Sequence, residues 1–166
     1  MIQRIRAAAC FVSVALLLSG TTTAAPFGFK PFIAYQEALP SWPVAVAVGD
    51  VSGDGRDDAV LATNYNAAPA KDFSLFIYAQ SVQGTLQAPV QLPFLGTAGG
   101  FGAKLEMADL NNDGIKDVVV GHDQGITVVM ALGGMRFKTT KTELPGEIYA
   151  MAVADINGDR KADVVR

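Results

Sequence analysis

One cysteine, Cys10, and one histidine, His122, are the whole supply of the two side chains that most often hold transition metals or act as nucleophile and base. A disulfide framework is therefore excluded, and a His-rich or catalytic zinc site lacks ligands. Charge is scarce too: Asp, Glu, Lys and Arg make up 17% of the residues, the formal net charge is -3, and no cluster of Lys and Arg occurs. A phosphate-tracking surface and a polybasic membrane patch are both missing, so nucleic acid is not an expected partner. No serine sits in a nucleophile-elbow pattern and no G-x-x-x-x-G-K loop is present, which leaves triad hydrolysis and nucleotide binding without support. What is abundant is apolar: half of the 166 residues are hydrophobic, the opposite of a disordered composition, and the length suits about one domain.

The longest apolar run lies at the start. Met1 to Arg6 carries two arginines and no acid, Ala7 to Leu18 is apolar, and small and polar residues from Ser19 to Ala25 follow. This is the pattern of a secretory signal peptide, and the run is shorter than the roughly 20 residues a spanning helix needs. Cleavage is expected after Ala24, because a cut one residue later would place Pro26 directly after the scissile bond; an uncleaved anchor is the alternative. The expected organisation is a signal peptide over 1–24 and one repeat domain over 25–166, in a periplasmic or extracellular location without stable membrane insertion. Cleavage would remove the only thiol together with Arg4 and Arg6, leaving 11 basic against 16 acidic residues, a net charge of -5. At the other end, Ala162 to Arg166 reads as the beginning of a strand with no turn after it.

The acids are clustered. Ten of the sixteen fall into three nine-residue windows, Asp50 to Asp58, Asp109 to Asp117 and Asp155 to Asp163. The windows read D-V-S-G-D-G-R-D-D, D-L-N-N-D-G-I-K-D and D-I-N-G-D-R-K-A-D, with Asp at positions 1, 5 and 9 and Ser or Asn at position 3. Oxygen donors at alternate positions of a tight loop converge on one point, the carbonyl at position 7 can join them, and Asp at position 9 closes the cage. Such an all-oxygen set suits a hard divalent ion, and calcium tolerates its angles better than magnesium does. Without an ion the carboxylates repel one another and raise each other's pKa. Gly55 and Gly114 stand at position 6, where a sharp turn calls for a left-handed backbone; Arg160 there in the third loop costs roughly 1 kcal/mol and predicts the weakest site.

An EF-hand shares the first half of this pattern but needs Glu at position 12, where Leu61, Val120 and Arg166 stand, and a helix after the loop. Strands flank these loops instead: Pro43 to Gly49 and Asp58 to Thr63, Lys104 to Leu110 and Asp117 to Gly121, Ile148 to Ala154 and Asp163 to Val165. Leading strands such as A-V-A-V and Y-A-M-A-V-A are almost uncharged and alternate small and larger apolar residues, which predicts inner strands buried on both faces. Further strands follow at Ser74 to Ala79 and Ile126 to Leu132. More polar ones come after them, Leu86 to Leu92 and Arg136 to Leu144, so polarity rises outward. Four strands per unit, with the first aspartates 59 and then 46 residues apart, is close to the period of a propeller blade, about 40 to 50 residues.

The windows, preceded by A-V-A-V-G-D and followed by D-A-V-L-A or D-V-V-V-G, resemble the FG-GAP and VCBS repeats of integrin alpha-type β-propellers over about Phe27 to Arg166. Phe101, Gly102 and Ala103 match part of the motif that names FG-GAP repeats. The resemblance implies an all-β, partial propeller of about 2.5–3 four-stranded blades, with calcium loops between the first two strands of each. It implies calcium on the side chains of Asp50, Ser52, Asp54 and Asp58, of Asp109, Asn111, Asp113 and Asp117, and of Asp155, Asn157, Asp159 and Asp163. The carbonyls of Arg56, Ile115 and Lys161 would complete these sets. Phe29 to Ala38 is expected to be an outer strand of a preceding blade, and the third unit has only its first two strands. Closed propellers have roughly four to eight blades. The expectation is therefore a piece of a longer protein, an assembly of copies, or an open arc.

His122 beside Asp123 is expected in a turn after a strand rather than in an acid-base pair, since strand neighbours point to opposite faces. Trp42, Tyr35, Tyr65, Tyr78 and Tyr149 are expected in packing more than in stacking on sugars, and Asn64 to Asp72 is the irregular insertion best suited to recognition. Two functions remain. One is an exported, non-catalytic adhesion or binding module for a glycan or protein, with up to three structural calcium ions. The other is the N-terminal part of a secreted propeller enzyme, for example one acting on polysaccharide, with its catalytic residues elsewhere.

Overall fold

The computed structural model describes residues 42–65, 72–94 and 102–166. The expected signal peptide and the strand expected at Phe29 to Ala38 lie outside them, as do Phe101 and most of the insertion after Asn64. Ten strands, and no helix, occur among the described residues: β1 (Pro43–Gly49), β2 (Asp58–Tyr65), β3 (Asp72–Tyr78), β4 (Val90–Pro93), β5 (Lys104–Ala108), β6 (Asp117–His122), β7 (Gly125–Ala131), β8 (Phe137–Glu143), β9 (Ala152–Ala154) and β10 (Asp163–Val165). They form antiparallel sheets in the orders β1-β2-β3-β4, β5-β6-β7-β8 and β10-β9. Each sheet is a meander in which sequence neighbours pair, and each Asp-rich window is the connection between the first two strands of its unit. The local cause is plain in β6, D-V-V-V-G-H, and β7, G-I-T-V-V-M-A, whose β-branched residues favour the pleat.

Register decides which side chains meet, because residues directly opposite across antiparallel strands share a face. Ala45, Ala62 and Leu75 lie across from one another in the first sheet, and so do Ala47, Val60 and Ile77. In the second sheet the matching rows are Leu105, Val120 and Thr127, and Met107, Val118 and Val129. The buried residues of these rows form one core cluster with Val51, Phe73, Phe94 and Ala103, so the two sheets stack face to face. The other face of the second sheet receives the third unit: a Cβ placed on Gly121 would lie 2.9 Å from Ile148 Cγ2 and 3.1 Å from Met151 Sδ. First strands line up along one side of the stack, with β5 touching β1 on one flank and β9 on the other.

One expectation is overturned. The strand buried along its whole length is β6, whereas Val46 and Val48 of β1 are 66% and 65% exposed and Ala152 and Ala154 of β9 are exposed. A small, uncharged strand is buried on both faces only when sheets lie on both sides. The second sheet has that placing; among the described residues, β1 and β9 each have a packed neighbour on one face only. Outer strand β8, F-K-T-T-K-T-E, is exposed over six of its seven residues, as rising outward polarity requires.

Candidate metal loops

The three loops repeat one hydrogen-bond plan, built from the first aspartate. Asp50 Oδ1 accepts from the backbone N–H of Gly53 (2.7 Å) and Asp54 (3.1 Å), and its Oδ2 from Gly55 (2.7 Å). Asp109 accepts in the same way from Asp113 (3.1 Å) and Gly114 (2.8 Å), and Asp155 from Gly158 (2.7 Å), Asp159 (3.1 Å) and Arg160 (2.8 Å). Each position-1 carboxylate thus sits in a ring of N–H groups from positions 4 to 6. The N–H of Gly114 and those beside it hold Asp109 below the usual carboxylate range. At Asp50 burial pushes upward, but the bonds from Gly55, Gly53 and Asp54 outweigh it and its pKa is lowered as well.

Position 5 fixes position 7: Asp54, Asp113 and Asp159 accept from the N–H of Arg56 (3.0 Å), Ile115 (2.9 Å) and Lys161 (2.9 Å). At position 3, Asn111 and Asn157 accept from the N–H at position 5, while Ser52 donates its hydroxyl to Asp50 at 3.4 Å. The turn at position 6 is left-handed in all three loops, with φ of 83° at Gly55, 89° at Gly114 and 67° at Arg160. Arg160 adopts the glycine conformation in spite of its side chain, as the pattern demands. Position 4 is left-handed as well, at Gly53, Asn112 and Gly158, a regularity visible as G, N, G in the windows but not singled out from the sequence.

A second molecule-specific feature is Arg56, whose guanidinium pairs with Asp54 and whose Nε donates to Gln80 O at 3.0 Å. Loop 1 therefore carries a tethered cation on one of its own carboxylates; loops 2 and 3 have Ile115 and Lys161 at that position.

The FG-GAP-like repeat pattern matches residues 50–120 and again 109–165. The chain belongs to the FG-GAP-like repeat family. Both matched segments begin on the first aspartate of a loop, so the family signature coincides with the ring of bonds described above. No curated protein matches the chain significantly.

The position-9 aspartates of these FG-GAP-like repeats have a separate place. Asp58 and Asp117 are fully buried. Asp58 Oδ2 accepts from Val51 N (3.1 Å) and Ser52 N (2.8 Å), and its Oδ1 from Gln80 N (2.9 Å), just beyond β3. Asp117 accepts from Leu110 N (2.9 Å) and Ala131 N (2.8 Å), at the end of β7. Asp163 accepts from Ile156 N (3.0 Å). Each carboxylate closes its loop, and the first two also tie it to the third strand of the unit. Burial, followed by the charges of Asp113 and Asp109, raises the Asp117 pKa against the bonds from Leu110 and Ala131.

Among the described residues no three acidic, His or Cys side chains stand together as a finished metal cage. The carboxylates are turned onto backbone N–H groups instead. The donor set still fits a hard cation in its chemistry: it is oxygen throughout, and Oδ2 of Asp50, Asp109 and Asp155, which accepts one N–H in each loop, keeps a second lone pair.

His122 is spent on structure. It is 2% exposed, its Nδ1 accepts from Gln124 N (3.2 Å), its Nε2 lies 3.1 Å from Thr127 Oγ1, and its ring centre is 5.8 Å from that of Phe94. The bond to Nδ1 selects the neutral tautomer with the proton on Nε2, donated to Thr127. His122 is the last residue of β6 and faces the inter-sheet core, with Asp123 and Gln124 forming the turn, and both its ring nitrogens are engaged, by Gln124 and Thr127. Burial lowers its pKa below 6.5. The unfolded chain then binds a proton that the folded one refuses, so stability falls as pH drops below about 6.5 toward the folded value. Urea midpoints of wild type and His122→Phe should diverge over pH 7 to 5, with wild type losing more; parallel curves would contradict this placement. Of the aromatics, Tyr78 is buried, whereas Trp42 and Tyr149 are 68% and 67% exposed.

Proposed function

We propose that the chain is an exported, calcium-stabilised binding module of β-propeller type, in which calcium fixes loop geometry and does no chemistry. The observation that carries this reading is the threefold repetition of one bonded loop between the first two strands of each unit, in a family whose repeats match over 50–165. Ligands would come from positions 1, 3, 5 and 9 with the position-7 carbonyl: Asp50, Ser52, Asp54, Arg56 and Asp58; Asp109, Asn111, Asp113, Ile115 and Asp117; Asp155, Asn157, Asp159, Lys161 and Asp163. Site 2 should be strongest. Loop 1 offers Ser52 and a carboxylate already paired with Arg56, and loop 3 holds Arg160 in a left-handed turn. The exposure of Trp42, and separately of Tyr149, supports a glycan or protein ligand, since exposed aromatic faces stack on sugars and anchor protein contacts.

The test uses protein recovered outside the cytoplasm, whose first residue should be Ala25. With no bidentate Glu, each site should bind calcium with Kd of about 0.1 to 1 mM. At a Kd of about 0.5 mM, calcium at about 10 mM stabilises the fold by about 1.8 kcal/mol per site through mass action. Thermal unfolding should shift upward in calcium relative to chelator, and Asp113→Ala should remove the share of site 2. No shift in wild type, and no binding heat by calorimetry, would sink the calcium reading.

A further inference from the structure

The junction between the first two units has a simple grammar. The residue just before the first loop aspartate of one unit meets the residue two before that aspartate in the next: a Cβ on Gly49 would lie 3.0 Å from Met107 Sδ. The apolar residue at loop position 2 is buried beneath the following unit, Val51 being 0% exposed. Among the described residues, the same positions stand exposed at the two outer faces of the stack. Val46 and Val48 are the counterparts of Leu105 and Met107, which pack against the preceding sheet, yet they are 66% and 65% exposed. Ala154 is the counterpart of Gly49, and Ile156 that of Val51; Ala154 is exposed, Ile156 is 62% exposed, and Val165, across from Ala152, is 48% exposed.

The two open faces are therefore complementary halves of a junction that the molecule already makes once between its own sheets. We infer that they join head to tail between copies of this chain, Ala154 and Ile156 of one copy receiving Val48 and Val46 of a second. The volumes agree: where the internal junction sets glycine against methionine, the proposed one sets alanine against valine. A larger residue on one side is matched by a smaller one on the other, the exchange that cores tolerate best. The contact is heterologous, so one copy can offer both faces at once.

Sedimentation velocity on the full protein should show dimers or larger species. Val48→Asp and Ala154→Asp should each give the mass of one chain, both sites being exposed and tolerant of charge in the monomer. Mixing the two variants should restore a dimer and nothing larger, because one intact face of each kind remains. Wild type that stays monomeric at its solubility limit would overturn the proposal. So would a mixture that does not pair, or a block by Val48→Asp alone, which would mean a symmetric contact. If an aspartate unfolds its carrier, as circular dichroism would reveal, cysteine trapping decides: in a Cys10→Ser background, Val48→Cys and Ala154→Cys should link to each other and neither to itself. A monomer in which both cysteines resist thiol reagents would assign the faces to other segments of the same chain and overturn the proposal equally.

Discussion

Gly125→Ala should cost about 3 to 5 kcal/mol, one added methyl group removing much of the stability a domain of this size has. Gly125 opens β7, opposite His122 on one side and Glu143 on the other, with a φ of 135°. A Cβ there would stand 2.1 Å from Thr142 O, 2.7 Å from Leu144 N and 3.0 Å from Glu143 Cα. All three are backbone atoms of the neighbouring strand and its exit, so no side chain can swing away. The φ alone strains an L-residue by about 1 to 3 kcal/mol. Forcing the β7–β8 pair apart adds about 1 to 3 kcal/mol of overpacking. Gly134→Ala is the control, since its φ is 61° and a Cβ there would meet nothing within 4 Å. It should lose only the strain, about 1 kcal/mol. Urea unfolding of the two variants measures the difference, and equal losses would show that the close approach to Thr142 does not matter.

Strand positions were legible because the Asp windows mark where strands end and begin. The residue before position 1 and the residue at position 9 bound β1 and β2, β5 and β6, and β9 and β10 to within a residue or two. Where no such marker stands, ladder chemistry decides. Leu86 to Leu92 reads as a strand by composition, yet only Val90–Pro93 pairs fully with β3, and Leu86 makes an isolated bridge to Gln80. Pro89 lies between them and has no N–H for the ladder. Similarly, Ile148 to Ala154 alternates like a strand, but only Ala152–Ala154 has a partner to pair with in β10. Ile148 instead buries itself against Gly121.

Burial was less legible than pairing. Nothing in P-V-A-V-A-V-G distinguishes β1 from a strand packed on both sides, since the exposure of Val46 and Val48 depends on which sheet lies next to which. The loops divide in the same way. Positions 1, 3, 5 and 6 act within nine residues, so their spacing announced the left-handed turn at position 6, including the strained Arg160; the backbone N–H groups that lower the pKa of Asp50 and Asp109, where mutual repulsion was expected to raise it, leave no mark in the side-chain pattern. The partners of position 9 are distant: Gln80 is 22 residues beyond Asp58, and Ala131 is 14 beyond Asp117. Their separation differs between units because the β2–β3 connection is longer in the first, so no fixed period betrays them. The position of His122 at the end of a strand was legible, but its burial in the core was not, because the aromatic ring that packs on it, Phe94, comes from the other sheet.

Those distant partners imply that the position-9 aspartates hold the fold even where calcium is withheld. Asp58→Ala strands three N–H groups, those of Val51, Ser52 and Gln80, and Asp117→Ala strands two, those of Leu110 and Ala131. Asp163→Ala loses the single bond to Ile156, which is exposed and can turn to water. An abandoned buried donor costs about 1 to 3 kcal/mol, so in chelator Asp58→Ala should lose about 3 to 5 kcal/mol and Asp117→Ala about 2 to 4 kcal/mol. Asp163→Ala, with a donor that water can satisfy, should lose under about 1 kcal/mol. The Asp117 loss is reduced because its charge is buried near Asp113 and Asp109, and removing it relieves that desolvation and repulsion. Chemical denaturation in chelator measures the order. Ligands that merely complete a metal cage would give three variants equal to wild type without calcium and impaired only with it. Clamps give a graded loss without calcium, and any further loss on adding calcium then measures the metal share of each carboxylate separately from its bonds to the chain.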